Sequence, residues 1–535
     1  MNKIMTKNKI PFILLIFAFF AISIPIFKVD MWFGHDVAAH YQRAIGTISG
    51  VSNFQIPPLF DFFNEWQLGY SWNLFYPPLT SMLFGLITLL SLNTASVFMQ
   101  LKIATIIITA ISIITSYYMG SYFYKRRDAG AITSILFITS SYFLNNYYIR
   151  FSIGEMMAHA LIPLLIIGVD ASIENKKEKI LLPISASLIL LSNIPSIIVS
   201  VIGCFFLYLF RLNKIANKGF LLFSLCSAAF IILSTSFYTI PLVYEKINDN
   251  IWAFSNINNS FQRMWELAPS LSDILTGDDN LYDNTSKHVR SHRTHGIPIT
   301  ILFFIGAVLL CKNKRINYLI PASLLLTLMA SKAFPWYGIG SDFSMLTYIQ
   351  FPWRILMFSG TIYALIATYP MILLFEKKSI EIFLSILAIS VLYTSYITNV
   401  ALHKEISNND SFLMGVYRDY LPNDGNSKII KDKRIEVSNN ADIYDVSFTH
   451  GYPTYTFKKK INSVEIPVIK NKLLNVYVNG NLNKYYGDGY FISVTSKDEI
   501  KSISIKPNPI IYLGYAISVT SFLASLIYIR KKRNY

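Results

Sequence analysis

The chain changes character at residues 30–79, which read DMWFGHDVAAHYQRAIGTISGVSNFQIPPLFDFFNEWQLGYSWNLFYPPL. This stretch follows one hydrophobic segment and precedes a long series of others. It has an unusual density of side chains that ionise or bind ligands, namely His35, Asp36, His40, Arg43, Asp61 and Glu65. We interpret it as the first large loop outside a membrane and as the place where chemistry is expected.

The composition is that of a membrane protein. Of 535 residues, 53% are hydrophobic and 15% are charged, and the mean hydropathy is positive. Soluble globular chains contain about a quarter charged residues, so this chain is predicted to be an α-helical polytopic membrane protein. Its net charge of +16 is explained by Lys and Arg in cytoplasmic loops, and we prefer that explanation to nucleic-acid binding because the basic clusters separate hydrophobic segments.

Several kinds of site have no support in the sequence. The three cysteines lie in apolar runs and form neither a disulfide framework nor a CxxC metal pattern. The sequence has no Walker loop and no GxGxxG, GxSxG or HExxH motif. Chemistry on a soluble nucleotide is therefore not expected.

Apolar segments predict about 11–13 transmembrane helices, although several segments are shorter than the ~20 residues needed to span a bilayer. The first is interpreted as an uncleaved membrane helix with a cytoplasmic N-terminus. The segments are 11–27, 77–92, 101–123, 129–143, 156–170, 179–193, 195–211, 218–241, 297–311, 317–331, 353–375, 379–399 and 509–529.

Basic clusters predict the topology. They occur at residues 125–127, 176–179, 214–218, 312–315, 377–378 and 530–533. Placing all of them in the cytoplasm, from the C-terminus back to residue 101, puts the loops 244–296, 332–352 and 400–508 outside. A cytoplasmic N-terminus puts the loop 28–76 outside as well. These placements agree only if one early segment fails to cross. We hypothesise that this segment is 77–92, which is short and begins with Pro77 and Pro78. Cytoplasmic accessibility of cysteines placed at Ser91 or Asn93 would contradict the hypothesis.

The loop 400–508 is long enough to fold on its own. It contains alternating runs such as RIEVS, YDVSF, YTFKK and NVYVNGN, and Asn479-Gly480 is a strong hairpin signal. We predict a small extracytoplasmic all-β domain here. The predicted division is therefore a transmembrane domain 1–399, the β domain 400–508, and a last helix with a basic cytoplasmic tail at 509–535.

The first candidate site is GHD at 34–36, followed by His40 and Arg43. If residues 37–48 form a helix, Asp36, His40 and Arg43 lie at positions i, i+4 and i+7 of one face. A carboxylate beside an imidazole and a guanidinium suits metal binding, or proton abstraction near a phosphate. In the alternative interpretation, Asp36 caps the helix and His40 lies at the membrane interface. Ionisable groups near a bilayer favour the functional interpretation.

Two other stretches place arginines at the outer ends of helices. In YYIRFSIGEMMAHALIP at 147–163, Arg150 and Glu155 form either a local ion pair of little energetic importance or a second contribution to the same site, with His159 one turn further in. In QFPWR at 350–354, Arg354 either snorkels to the interface or binds the phosphate of a lipid-linked substrate bidentately.

The predicted outer loop 244–296 contains HVRSHRTHG at 288–296. Its imidazole and guanidinium groups could hold a phosphate, whereas a solvated basic loop is the simpler explanation for most of them. We single out His295, which precedes Gly296 at the start of the next helix. The residues in this group are His288, Arg290, His292, Arg293 and His295.

In this order, these stretches resemble the GT-C superfamily of polytopic glycosyltransferases. The pattern is closest to the YfhO-like bacterial membrane proteins and the related group called 6-pyruvoyl-tetrahydropterin synthase-related. The resemblance covers most of the chain, and GHD…FYPPL and QFPWR are specific together and weak apart. The matching sequences are GHD at 34–36 with His40 and Arg43, FYPPL at 75–79, Arg150 with Gly154 and Glu155, FYTIPLVYE at 237–245, QFPWR at 350–354 and YLP at 420–422.

The resemblance implies an acidic catalytic or metal-binding residue in the first outer loop, which here is Asp36. It also implies a polyprenyl-phosphate sugar as donor, reaching the site from within the bilayer. At LSNIPS, residues 191–196, the family tends to have a histidine where this chain has Asn193. The resemblance therefore assigns no role to Asn193.

The expected function is transfer of a sugar from a polyprenyl-phosphate carrier to a cell-surface glycan or protein on the outer face of the cell membrane. Asp36 is expected to deprotonate or orient the acceptor hydroxyl, directly or through Mg²⁺ or Mn²⁺, which carboxylates bind well. Cations must offset the charge of the leaving phosphate, and Arg354, Arg150 and His295 are the candidates. The full expected substrate-binding set is His35, His40, Arg43, Arg150, Glu155, His295 and Arg354.

The second interpretation is a non-enzymatic transporter, flippase or assembly protein for a surface polymer. Broken helices and charged outer loops suit transport as well. Inverted-repeat symmetry would favour transport, and the sequence shows none. The position of Asp36 discriminates between the two: a lipid-lined outer cleft shared with Arg354 favours transfer, and the midplane between two related halves favours transport.

Overall fold

The computed structural model describes residues 9–63, 68–248, 251, 260–277, 282–283, 288–289, 293–376, 420–421, 443–483 and 489–533. Most of these residues are helical, and a small β region lies near the C-terminus. The longer α-helices are Ile10–Ser23, Val37–Ser52, Leu79–Leu90, Val97–Tyr124, Arg127–Ile138, Ile153–Ile173, Leu181–Leu190, Ile194–Leu209, Lys218–Ser234, Ser236–Asn248, Ile297–Leu310, Leu319–Met329, Leu356–Glu376 and Ile510–Arg533.

Short helical turns connect these helices. The short α-helices are Trp72–Phe75, Ser141–Leu144, Leu212–Ile215, Phe261–Leu267 and Leu271–Thr276. The 3-10 turns are Pro25–Lys28, Lys177–Ile180, Trp336–Gly338, Ser341–Ile349 and Pro352–Ile355, and Asn145–Arg150 is a π-helical turn. Each predicted apolar segment overlaps a helix, except 379–399, which lies outside the described residues.

Four helical stretches of the described residues are long and apolar enough to cross a bilayer: Ile10–Lys28, Val97–Tyr124, Ile153–Ile173 and Pro352–Glu376. Lys218–Ser234 and Ser236–Asn248, bent by 73° at their junction, make a fifth if the bent pair counts as one span. Five further apolar helices are shorter, with 10–17 residues. These helices indicate a membrane-embedded protein, whereas the larger number of spans and the orientation of the termini stay predictions.

The predicted non-crossing segment 77–92 corresponds to the helix Leu79–Leu90. Its 12 residues give a length of about 18 Å, which is less than the ~30 Å of a bilayer's hydrocarbon core. The hypothesis that this segment does not cross alone is compatible with that length and stays a prediction.

Residue contacts divide the chain into two compact units. The first comprises Met1–Val37, Lys102–Ile231 and Asn259–Asp410, and the second comprises Ala38–Leu101, Ile232–Asn258 and Ser411–Tyr535. Both units are therefore discontinuous in sequence. The domain boundaries predicted at residues 399 and 508 stay predictions.

Hydroxyl side chains connect the helices of the first unit. Thr115 Oγ1 donates to the carbonyl of Ala160 at 2.6 Å, and Oγ1 of Thr133 lies 2.9 Å from that of Thr368. Interhelical bonds of this kind contribute about 0.6–2 kcal/mol each in an apolar environment. The first bond joins Val97–Tyr124 to Ile153–Ile173, the helix that carries Glu155. The second joins Arg127–Ile138 to Leu356–Glu376, the helix that follows Arg354.

The second unit contains the predicted β region. Five antiparallel strands pair in the order Tyr444–Thr449, Tyr452–Phe457, Ser502–Pro507, Leu474–Val478 and Asn481–Asn483, while Ser463–Ile469 pairs with Phe491–Thr495. Tyr455, Val476, Ile503 and Ile505 are buried in its apolar core. The remaining strands, Tyr282–Asp283 and His288–Val289, belong to the first unit. The predicted strand RIEVS at 434–438 lies outside the described residues.

The hairpin predicted at Asn479-Gly480 is confirmed. Val478 pairs with Asn481 directly across the turn, and both turn residues have positive φ, 50° and 87°. This two-residue turn matches the right-handed twist of paired strands. Asn and Gly tolerate that backbone conformation, which is why the dipeptide predicts the hairpin.

Candidate active site

The GHD sequence is held by its own backbone in the first unit. The amide of His35 donates to the carbonyl of Ile149 at 3.1 Å, and the amide of Asp36 donates to the carbonyl of Arg150 at 2.9 Å. The indole of Trp32 donates to the carbonyl of Tyr148 at 2.9 Å. These three bonds tie the loop to the π-helical turn and place Asp36 beside the side chain of Arg150.

Gly34 permits this close approach. A Cβ atom at position 34 would lie 2.7 Å from Cβ of Phe151 and 2.9 Å from Cγ2 of Val37. Phe151 has a φ of 56° at the end of the π-helical turn, so its own backbone is already in an uncommon conformation. Any side chain at position 34 therefore pushes the GHD loop away from the turn.

The variant Gly34→Ala is expected to lose about 1–3 kcal/mol of stability because it overpacks this contact. If the protein transfers a sugar, the displaced Asp36 should also lower the rate by up to about 10²-fold. Thermal unfolding and a transfer assay measure the two effects. Gly338→Ala is the control, because nothing lies within 4 Å of the added methyl group. Unchanged stability of Gly34→Ala would contradict the close packing.

Glu155 is the centre of the site. Its side chain is fully buried at the start of the helix Ile153–Ile173. Oε1 accepts hydrogen bonds from the Tyr142 hydroxyl at 2.5 Å and the Asn146 amide at 3.1 Å. Oε2 accepts from Arg150 at 2.7 Å and Arg354 at 3.1 Å. Burial and the charge of Glu155 raise the pKa of Tyr142 well above its ordinary value, so the phenol stays a donor.

Arg150 joins both carboxylates. Its Nη1 donates to Glu155 and to the Asn146 side chain at 2.8 Å, and its Nη2 lies 3.7 Å from Oδ2 of Asp36. Burial alone would lower the pKa of Arg150, but Glu155 and Asp36 raise it above its usual value. The guanidinium also lies over the ring of Trp353, 4.5 Å from its centre. Arg150 therefore stays charged inside the protein.

Arg354 also binds the Glu155 carboxylate, although it lies 199 residues after Glu155 in the sequence. Its Nε donates to Glu155, and its Nη1 donates to the carbonyl of Ile349 at 2.9 Å and the side chain of Gln350 at 2.8 Å. Within the part of the chain that the structure describes, no acceptor lies within hydrogen-bonding distance of Nη2. Arg354 is thus oriented by two of its nitrogens while the third can bind another group.

Asp36 differs from Glu155 in its exposure. Its side chain is 39% exposed, and its ionic contact with Arg150 is longer than a hydrogen bond. Among the described residues, no group donates a hydrogen bond to its carboxylate. Asp36 is therefore the carboxylate of the cluster that can accept a proton from a reactant.

The aromatic platform of the site was not predicted from the sequence. Arg293 lies over the same Trp353 ring as Arg150, at 5.7 Å from its centre. The Trp in QFPWR was the available signal, because a ring beside an arginine can stack on guanidinium groups.

His159 lies one turn further into the helix than Glu155, as the sequence predicts. Its ring is buried among Phe137, Tyr142 and Phe143. In the described part of the chain, neither ring nitrogen of His159 nor the indole nitrogen of Trp353 has a hydrogen-bond partner. Buried polar atoms are normally hydrogen-bonded, so these nitrogens are candidates for contact with a ligand.

His295 occupies a different environment from the one expected. Its buried ring stacks on Tyr363, with 4.1 Å between ring centres, and lies 3.2 Å from Oγ1 of Thr327 and 3.4 Å from Oγ of Ser359. Burial lowers its pKa to about 3, so the ring is neutral at physiological pH. A neutral ring cannot offset the charge of a phosphate. Of the rest of the predicted basic run, Arg290 and His292 lie outside the described residues.

Arg43 and His40 belong to the second unit. The helix predicted at 37–48 extends over Val37–Ser52, but Arg43 is fully buried and donates to Ser81 Oγ at 2.6 Å and to Asn73 Oδ1 at 3.4 Å. The guanidinium also lies 3.9 Å from the centre of the Tyr76 ring. The rings of His40 and Tyr76 form a T-shaped pair with 5.6 Å between their centres. Within the second unit, Arg43 thus belongs to a buried polar cluster. The predicted shared site of Asp36, His40 and Arg43 stays a prediction.

The structure also places His35 and Asn193, two further positions discussed from the sequence. His35 is exposed, and its described bond is made by the backbone. Asn193 caps the helix Ile194–Leu209, since its Oδ1 accepts from the amide of Ser196 at 3.1 Å and from the Ser196 hydroxyl at 2.8 Å. This cap gives Asn193 a structural role at the start of the helix.

The residues around Asp36 fit a divalent cation poorly. Both oxygens of Glu155 accept hydrogen bonds from protein groups, and Arg150 would repel a cation beside Asp36. Hard divalent ions require several oxygen ligands. No group of three or more His, Cys, Asp or Glu side chains suited to a metal occurs among the described residues. We therefore assign no step to Mg²⁺ or Mn²⁺, and metal dependence stays an untested expectation.

The chain matches no known protein-family model, and it has no significant match among curated proteins.

Proposed function

We propose that this protein is a GT-C-like membrane glycosyltransferase, which moves a sugar from a polyprenyl-phosphate carrier to a cell-surface acceptor. One observation carries the proposal: Asp36 and Arg354, 318 positions apart in the sequence, both lie against the pair formed by Arg150 and Glu155. A proton acceptor and a phosphate-binding cation are the two groups that such a transfer needs. The apolar helices support a lipid-linked donor, because its carrier is soluble in the bilayer.

The proposed reaction exchanges one bond for another at the anomeric carbon of the sugar. The acceptor hydroxyl oxygen forms a bond to that carbon as the bond from the carbon to the phosphate oxygen breaks. Asp36 takes the hydroxyl proton, and the polyprenyl phosphate leaves with the bonding electron pair. Arg354 Nη2 stabilises the negative charge that develops on the phosphate.

Glu155 and Arg150 have positioning roles in this proposal. Both oxygens of Glu155 accept hydrogen bonds from protein groups, namely Arg150, Arg354, Tyr142 and Asn146. We therefore assign Glu155 no contact with a reactant. Arg150 Nη2 lies 3.7 Å from Oδ2 of Asp36, and Arg150 is itself held by Glu155. We assign contact with substrate to Asp36 and Arg354, and we propose that the β region selects the acceptor.

The test is an assay with labelled polyprenyl-phosphate sugars and reconstituted protein. The variant Arg354→Lys keeps the positive charge but loses the planar fork that reaches three acceptors. We expect transfer to fall by about 10²–10³-fold, as when an oxyanion-stabilising donor is removed. Lys332→Gln, on an exposed lysine of the same unit, is the control. Undiminished transfer by Arg354→Lys would contradict the phosphate-binding role.

A transporter or flippase is the second candidate, and the 73° break between Lys218–Ser234 and Ser236–Asn248 favours it. Broken helices line the substrate paths of many transporters. Labelled lipid-linked sugar separates the two functions. Transfer yields a loaded acceptor and free polyprenyl phosphate, whereas flipping moves the intact donor between leaflets.

A further inference from the structure

A cavity of about 820 Å³ opens beside the five-stranded sheet of the second unit. Strand register places Thr454, Ser504 and Tyr477 side by side on one sheet face. Since alternate residues face opposite sides of a strand, the buried Tyr455 and Ile503 lie on the other face. The cavity volume is typical of a small-ligand site.

The polar wall of this cavity is basic and rich in hydroxyl groups. Lys506 is exposed, with Nζ 4.8 Å from the centre of the Tyr477 ring, and His450 adds an imidazole. None of the described residues that line the cavity carries a carboxylate. Thr454 Oγ1 donates to Ser504 Oγ at 3.2 Å, so the Ser504 hydroxyl hydrogen can be donated to a ligand. This set of groups suits an anion with several acceptor oxygens.

The remaining wall is apolar and exposed. Phe54 and Ile56 are 74% and 73% exposed, although both line the cavity. Tyr512, also in the lining and 50% exposed, lies in the first turn of the apolar helix Ile510–Arg533. Aromatic side chains at such helix ends are typical of the membrane–water interface, and exposed apolar patches mark interaction sites.

We propose that this cavity binds the headgroup of an anionic membrane phospholipid. The phosphate lies near Lys506 and the sheet hydroxyls, and the upper acyl chains cover Phe54 and Ile56. An inorganic phosphate ion would fill a small part of the cavity and leave its apolar wall in water, and a soluble glycan would not need that wall. The proposal is independent of sugar transfer.

The test uses the purified full-length protein in a neutral detergent, with lipid adducts counted by native mass spectrometry. Three probes are titrated: dioleoyl phosphatidylglycerol, dioleoyl phosphatidylcholine and glycerol 1-phosphate. Phosphatidylglycerol is expected to bind more tightly than the other two. Lys506→Gln should weaken this binding about five-fold, the effect of one lysine at a lipid surface. Phe54→Ser should weaken it at least about five-fold through lost apolar contact.

The control is Lys459→Gln, which removes the same charge from an exposed lysine outside the cavity and should leave affinity unchanged. Lys506 and Phe54 are both exposed, so their variants are expected to keep the wild-type melting temperature. Equal phosphatidylglycerol affinity of wild type, Lys506→Gln and Phe54→Ser would overturn the proposal. Binding of phosphatidylcholine or glycerol 1-phosphate as tight as that of phosphatidylglycerol would overturn it as well.

Discussion

Replacing Asp36 with asparagine should reduce sugar transfer by about 10²–10⁴-fold, the usual contribution of a general base. The amide has nearly the same shape as the carboxylate but cannot take the proton of the acceptor hydroxyl. Folding should change little, because Asp36 is 39% exposed and its contact with Arg150 is 3.7 Å long. Exposed ion pairs contribute less than about 1 kcal/mol. Transfer rates with labelled donor and thermal unfolding of the same preparation measure both effects.

The matched control is Asp342→Asn, which makes the same chemical change at an exposed acid of the same unit. It should retain full transfer. A fully active Asp36→Asn protein would remove Asp36 from the reaction and leave the sugar-transfer proposal without a base. If the protein instead flips the donor, the wild type forms no loaded acceptor. The Asp36→Asn variant would then show no loss of that product.

Replacing Glu155 with glutamine should produce the largest loss of stability. Removing one partner from a buried ion pair leaves an uncompensated charge and is destabilising by about 3–5 kcal/mol. Here the carboxylate is fully buried and accepts from both Arg150 and Arg354. The glutamine amide would also place two N–H donors against groups that now donate to Glu155. Denaturant or thermal unfolding in detergent measures the loss.

A double-mutant cycle separates charge from packing at this position. Glu155→Gln combined with Arg354→Gln should regain part of the stability lost by Glu155→Gln alone, because one uncompensated cation is removed. Glu174→Gln is the control: that carboxylate is partly exposed and pairs with Lys214, so it should lose less than about 1 kcal/mol. Additive losses in the double variant would contradict a shared charge cluster.

The cluster explains why Arg150 and Glu155 form more than a local pair. Two residues five positions apart could satisfy one another at the surface, which the sequence allowed as an alternative. In the fold, Arg354 from a distant helix shares the same carboxylate oxygen. The buried Glu155 thereby fixes the directions of two guanidinium groups at once. Preorganised charge of this kind is what stabilises a developing anion efficiently.

The sequence by itself determined the elements of this protein. Long apolar runs cannot remain in water, and they predicted helices that the structure contains, including Ile153–Ile173 and the helix that follows Arg354. Alternating residues and Asn479-Gly480 predicted the strands and the hairpin near the C-terminus. These signals are local, because helix and strand periodicity and turn conformations depend on residues close together in the chain.

Only the tertiary structure decided which charged groups meet. Helical spacing predicted a common face for Asp36 and Arg43, but it did not predict that Arg43 would be buried and bonded to Ser81 and Asn73. The sequence predicted His295 as a phosphate ligand, but burial lowers the pKa of its ring, which is then neutral. The packing of helices from distant parts of the sequence brings Arg354 to Glu155 and sets how deeply each ionisable group is buried. Local spacing in the sequence encodes neither the distant partners of an ionisable group nor the depth of its burial. Both determine the charge and the chemistry of a site.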